Sequence, residues 1–212
     1  MSSQSPAVKY DSYEFLKVER KSDGILLITL NRPESYNACD GNGHDEMGRI
    51  WLDFDSDPAA KVAVITGAGK AFCSGGDLKS ADITDQHHLI ATMGRDRAIV
   101  HNMMNMRKPV VSAINGVAVG AGLAVALLAD ISIASEKALL IDGHTKLGVV
   151  AGDHAALIWP LLCGLARAKY YLLLCERIDG KEAAAIGMVS RCVPHEELMP
   201  TAMAVAARLA KG

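Results

Sequence analysis

What the chain does not contain narrows its function first. Its five cysteines, Cys39, Cys73, Cys163, Cys175 and Cys192, are an odd number with no C-x-x-C pair. Neither a disulfide framework nor a zinc site is indicated, and the thiols read as reduced packing groups of a cytoplasmic protein. There is no basic run and no patch of interleaved aromatic and basic residues. With a net charge of −2, nucleic acid has no electrostatic footing here. The first residues, MSSQSPAVKYDSYE, lack the basic-then-apolar order of a signal peptide. A membrane span is missing too. Residues 109–129 are as long as the roughly 20 apolar residues a spanning helix needs, but Ser112, Asn115 and three glycines interrupt them.

Nucleotide fingerprints are equally absent. Lys70 is followed by Ala71 where a P-loop needs Ser or Thr, and the pair Gly120 and Gly122 lacks a third glycine three residues on. Residues 84–106 carry helical periodicity with His87, His88 and His101 on it. Without a facing carboxylate and a third ligand this reads as a solvated helix face, so no metal is expected and no cofactor is required.

What is present is an apolar chain, 212 residues long with half of them hydrophobic, enough for the core of one globular domain. Its centre is the stretch KPVVSAINGVAVGAGLAVALLAD at 108–130, with no charge between its ends. It parses as a strand at 109–114, a turn at Asn115 and Gly116, and a small-residue segment opening a buried helix near Gly122. Strand, glycine turn and helix recur after Ile25, Val62 and Val110, about 40 to 50 residues apart. Short strands are expected at 131–134 and 138–141, and helices at 45–54, 155–163, 166–175 and 195–210. The pattern is α/β, repeated units with helices outside.

Two further stretches carry chemistry. At 70–79, KAFCSGGDLK, Gly75 and Gly76 free the backbone to approach a ligand and Asp77 can cap a following helix. At 142–154, DGHTKLGVVAGDH, His144 and Asp153 flank a glycine-containing loop, with Asp142 close in sequence. An imidazole beside a carboxylate is a general base whose tautomer the acid fixes; an N-cap aspartate and a hydrogen-bonded loop histidine would satisfy the same pattern.

Read together, NRPE at 31–34 with Asn37 and Ala38, AFCSGGDL at 71–78, NGVAVGAG at 115–122 with Asp130, and Ala184 to Ser190 resemble the crotonase superfamily of enoyl-CoA hydratases and isomerases. The resemblance covers nearly the whole chain. It implies a spiral of repeated ββα units and a pocket for an acyl-CoA thioester, with coenzyme A as part of the substrate. By the same resemblance the amides of Gly76 and Ala121 form an oxyanion hole for the thioester oxygen. Ala38, Ala71, Ser74, Asp77, Leu78 and Lys79 match positions lining the coenzyme A site. Lys79 could meet a phosphate or sit on the surface, and Ser74 reads as a loop hydroxyl. A homo-oligomer, trimer or hexamer, is also implied.

The chain departs from the family in three ways. The two glutamates of a hydratase fall at Ala124 and His144. The pairing of His144 with Asp153, in GVVAGD at 148–153 followed by Ile158, Trp159 and Pro160, is similar to the branch represented by 6-oxocamphor hydrolase, which cleaves a β-diketone by a retro-Claisen route. Residues 1–212 are expected to form a single crotonase-like domain, and the usual C-terminal helical extension is expected to be lacking. Three functions follow as expectations: an enoyl-CoA hydratase or isomerase lacking the glutamate pair, a carbon–carbon bond hydrolase using His144 and Asp153, and a catalytically weak acyl-CoA binding protein.

Overall fold

Val62, Ala63, Val64 and Ile65 are apolar in an unbroken row, the signature of a strand covered on both faces. The computed structural model describes residues 8–77, 86–152 and 154–212, and there this row is a wholly buried strand. Ten strands are described: β1 Leu16–Arg20, β2 Ile25–Leu30, β3 Val62–Gly67, β4 Ala71–Cys73, β5 Val110–Ile114, β6 Val117–Val119, β7 Ile131–Ser135, β8 Leu139–Ile141, β9 Ile178–Asp179 and β10 Arg191–Val193. The helices are α1 Gly41–Ser56, α2 Gln86–Met104, α3 Gly120–Leu128, α4 Ala155–Cys163, α5 Leu165–Leu174, α6 Gly180–Ala185 and α7 Leu198–Leu209.

The strands divide between two sheets, one ordered β1-β2-β3-β5-β7-β10 and one ordered β4-β6-β8-β9. Pairing is parallel except at β1 with β2 and β8 with β9. Along the chain β3-β4-α2 and β5-β6-α3 each place one strand in the larger sheet, one in the smaller, and then a helix. The pair β7-β8 repeats the step, followed by a 3₁₀ turn at His144–Leu147 and α4. This is the spiral of ββα units. The period-2 alternation of a strand then separates two cores: Val62 and Val64 join Leu198, Ala202 and Ala206 of α7, while Ala63 and Ile65 join Phe72, Ile114 and Leu123. α3 is apolar all round and enclosed accordingly.

Close approach explains the glycine of the β5–β6 turn. A Cβ on Gly116 would lie 2.0 Å from the Lys70 carbonyl oxygen, so the turn crosses the chain entering β4 only without a side chain. α1 begins four residues before the expected Asp45, because the Asp40 carboxylate accepts the Gly43 N–H at 2.8 Å and caps the weak helix formers Gly41 and Gly43. Its inward stripe of Met47, Ile50, Trp51 and Phe54 is fully buried, each contributing about 1.5–3 kcal/mol. Among the described residues no helix is long and apolar enough to cross a membrane.

Candidate active site

β4, β6 and β8 are neighbours and parallel, so all three end at one edge of the smaller sheet. The chain leaving them carries, in turn, Ser74 to Asp77, Gly120 and Ala121, and Asp142 to His144. The carboxyl edge of parallel strands is where such sheets take ligands. The register holds the three exits level, with Cys73 opposite Ala118 and Val119 opposite Ile141.

After β4 the chain makes one parallel bridge to Cys39. The Cys39 N–H donates to the Gly75 carbonyl at 2.9 Å and the Asp77 N–H to the Cys39 carbonyl at 2.7 Å. Such a bridge uses the groups of residues 75 and 77, which turns the N–H of Gly76 to the opposite side. Gly76 is exposed there. Ala121 is the second residue of α3, in the first turn, where N–H groups have no intrahelical acceptor and the helix dipole favours negative charge. The segments meet, since a Cβ on Gly120 would stand 3.8 Å from the Gly75 Cα. At Gly122 a Cβ would come within 2.3 Å of the Cys73 Cβ, so only glycine lets α3 start against β4.

Beneath this edge the Cys39 and Cys73 sulfurs are 3.5 Å apart and both buried. Burial pushes the Cys39 thiol up. Cys73 goes the other way, because it faces the Cys39 thiol and, against the cost of its burial, the backbone N–H groups of Gly75 and Gly122.

Ala124 lies one turn beyond Ala121 and is 2 % exposed, its side chain a methyl group with no proton to exchange. His144 opens the 3₁₀ turn after β8. Its Nδ1 lies 3.0 and 2.9 Å from the two Asp142 carboxylate oxygens, and its backbone N–H donates to Oδ1 at 3.2 Å. A carboxylate only accepts, so Nδ1 carries the hydrogen and a neutral ring keeps its lone pair on Nε2. Asp142 is wholly buried and the His144 side chain about a quarter exposed. Asp153, the expected partner, lies outside the described residues, as do Leu78 and Lys79 and the helix that Asp77 was expected to cap. Among the described residues, Asp142 places a carboxylate on His144.

The remaining positions form a framework beside these groups. Ala38 donates its N–H to the Ser35 carbonyl, and Ser74 its N–H to Tyr36 at 3.0 Å and its hydroxyl to the Ser35 carbonyl at 3.5 Å. Asn37, buried and left-handed at φ 57°, accepts the Arg32 N–H and donates to the carbonyls of Ala68, Ala71 and Phe72. Among the described residues no three His, Cys, Asp or Glu side chains gather as a metal site would require. Sequence reasoning passed over Thr145, whose hydroxyl donates to the Leu172 carbonyl of α5; nothing in the residues between them signals the contact.

Comparison with known proteins bears on the fold and the family. Residues 20–212 match the family described as enoyl-CoA hydratase/isomerase. The chain is 37 % identical over 190 residues to the (E)-benzylidenesuccinyl-CoA hydratase of Thauera aromatica, covering 89 % of this chain and 74 % of that protein. It is 35 % identical over 190 residues to the carnitinyl-CoA dehydratase of Escherichia coli, covering 89 % and 72 %. Among solved structures, an enoyl-CoA hydratase/isomerase from Mycobacterium paratuberculosis superposes with a TM-score of 0.88 at 36 % identity, over 96 % of this chain and 81 % of the other. The enoyl-CoA hydratase from Bacillus anthracis gives 0.89 at 30 % identity, over 94 % and 78 %. With its ββα spiral and the ends of β4, β6 and β8 converging on one edge, the chain belongs to the enoyl-CoA hydratase/isomerase family.

Proposed function

We propose that the protein adds water across the conjugated double bond of an enoyl-CoA thioester, or removes it, with one imidazole–carboxylate pair in place of two glutamates. The observation that carries this is the delivery of two backbone donors, Gly76 and Ala121, and of the His144–Asp142 pair to the same sheet edge by adjacent parallel strands. The thioester oxygen sits between the two amides, which hold it more strongly as it gains charge. His144 Nε2 takes a proton from water as the oxygen adds to the β-carbon, and the buried Asp142 carboxylate stabilises the imidazolium that forms. Ala38, Ala71 and Ser74 line the approach of the coenzyme A portion. The hydratase and dehydratase named among the relatives favour this reaction class.

Purified protein mixed with crotonyl-CoA should bleach the conjugated enoyl absorbance, and His144→Ala should abolish the change. Absence of bleaching at high enzyme concentration would exclude the hydratase reading.

One observation favours a second reading. With alanine at 124, the described residues of the site offer a histidine–carboxylate pair, His144 with Asp142, the equipment for activating water against a ketone carbonyl. Carbon–carbon cleavage of a cyclic β-diketone would then leave its enolate on the Gly76 and Ala121 amides. That reaction needs no coenzyme A, so turnover of a bicyclic β-diketone alone decides for it. Loss of both activities with retained acyl-CoA affinity would mark a binding protein. Assembly into a homo-oligomer belongs to the same proposal: Leu157, Leu161, Leu165 and Leu173 stand exposed on the packed helices α4 and α5, and sedimentation would read it.

A further inference from the structure

The turn that carries His144 is held by hydrogen bonds rather than by burial. None of the residues His144–Leu147 is buried, and Thr145 to Val150 are all exposed. At Gly143 and Gly148, on either side of the turn, an added Cβ would meet no described atom within 4 Å. The turn closes on itself: the Gly148 N–H donates to the Thr145 carbonyl at 3.2 Å and the Val149 N–H to the His144 carbonyl at 3.0 Å. Those bonds fix its shape but not its place in the molecule. On the strand side the place is set by Asp142, which accepts the His144 N–H at 3.2 Å.

Thr145 sets it on the other side. Its hydroxyl oxygen lies 3.0 Å from the Leu172 carbonyl oxygen, 3.5 Å from that of Leu173 and 2.8 Å from the Cys175 sulfur. A hydroxyl has one hydrogen to give and can also accept, whereas a carbonyl only accepts. The hydrogen therefore goes to Leu172, the nearer carbonyl, and the Cys175 S–H donates to the threonine oxygen. Both partners belong to the end of α5, where the last carbonyls have no intrahelical donor. That end is firm. Leu172 and Cys175 are buried, Cys175 turns the chain at φ 52°, and the Tyr171 hydroxyl donates to the Glu182 carboxylate of α6. One hydroxyl thus ties an exposed turn to a packed helix.

We propose that Thr145 is a positioning residue for the reaction: its hydroxyl holds the His144 turn against the end of α5 and so fixes where the imidazole stands at the sheet edge. The inference rests on the acyl-CoA reading, in which His144 Nε2 takes the proton from water. Asp142 sets the rotation of the ring and which nitrogen carries its hydrogen. Thr145, the next residue along the chain, sets the backbone from which the ring projects. It acts through His144 and exchanges no proton, because its own hydrogen is committed to the Leu172 carbonyl. Without the hydroxyl the turn keeps its two internal backbone bonds and is free to shift as a unit. A displacement of about 1 Å between a catalytic group and the reacting atom costs on the order of 10²-fold in rate.

The test compares wild type with three variants. Thr145→Val exchanges the hydroxyl for a methyl group of the same shape, Thr145→Ala is a second loss of the hydroxyl, and Thr145→Ser keeps it. Crotonyl-CoA hydration gives kcat and KM, with butyryl-CoA affinity and thermal melting measured alongside. Thr145→Val and Thr145→Ala should lower kcat about 10–10²-fold while KM and butyryl-CoA affinity stay within about twofold of wild type. Thr145→Ser should restore most of the loss. A Thr145→Val protein that melts lower yet turns over at the wild-type kcat makes the hydroxyl a cap of α5 only and overturns the inference. So does a Thr145→Ser protein as slow as Thr145→Val, or a loss of affinity that matches the loss of kcat. Each of these outcomes leaves the acyl-CoA reading standing. A wild-type protein that does not hydrate crotonyl-CoA overturns that reading, and this inference with it.

Discussion

Asn37 and Asn115 donate their side-chain amide hydrogens to one and the same carbonyl oxygen, that of Ala71, at 2.9 and 3.2 Å. Asn37 also holds Ala68 and Phe72, while Asn115 holds Gly69 and accepts the Gly67 N–H. Two loops distant in sequence are thereby pinned to the first residue of β4, the strand that delivers Gly76. The asparagines of the 31–38 and 115–122 motifs serve the site through the backbone.

Asn37→Ala leaves the part-buried Ala68 and the buried Phe72 carbonyls without that donor and puts alanine at a left-handed φ. It should cost about 3 kcal/mol in urea unfolding with the m-value unchanged. In Asn37→Ala/Asn115→Ala both donors to Ala71 are lost. The double variant should fall below the sum of the singles by about 0.5 kcal/mol or more; strict additivity would show that the shared carbonyl does not couple the loops.

Ala121→Pro isolates a backbone donor. In the first turn of α3 the N–H makes no helical bond, so proline is tolerated there. The melting temperature should move little while kcat for crotonyl-CoA falls about 10²–10³-fold. An unchanged kcat in a folded variant would remove Ala121 from the oxyanion hole.

Asp142→Asn keeps an oxygen acceptor for the His144 Nδ1–H and removes the buried charge that stabilises the imidazolium. A kcat loss on the order of 10² or more is expected, with KM for crotonyl-CoA little altered. Should the variant match wild type, the working carboxylate is another one, and Asp153→Asn is the next comparison.

The sequence made the site legible wherever function is a backbone property. Glycine at 75, 76, 116 and 122 marks places where chain approaches chain or ligand, and a side chain at 116 or 122 would collide with backbone or with Cys73. β4 and β6 were invisible as strands because each is three residues long, too short for alternation to register, and their partners come from other units. The carboxylate on His144 was ambiguous for a related reason. Asp142 and Asp153 both flank the loop, and only the 3₁₀ turn that folds the ring back over residue 142 shows Asp142 as a contact. Thr145 was hidden because the packing that brings it to the end of α5 leaves no local pattern.

A last expectation concerns acid stability, and it lies away from the active site. Asp57, after α1, is fully buried and receives Tyr10 Oη–H at 2.9 Å, the Arg20 guanidinium at 2.6 Å and the Ala59 N–H at 3.0 Å. Burial alone would raise its carboxyl; the Ala59 N–H, the Tyr10 hydroxyl and Arg20 together outweigh that and hold it below the ordinary value. In the unfolded chain the group titrates near the usual value, about 3.9. A carboxyl depressed by folding stabilises fully above the unfolded pKa, and the contribution fades as pH falls from about 4 through the lower folded value. Asp57→Asn should therefore lose stability at pH 7, by about 1–3 kcal/mol, and lose progressively less relative to wild type as pH drops below about 4. Urea midpoints for the two proteins between pH 3 and pH 7 measure the convergence, and parallel curves would mean that the Asp57 charge does not stabilise the fold.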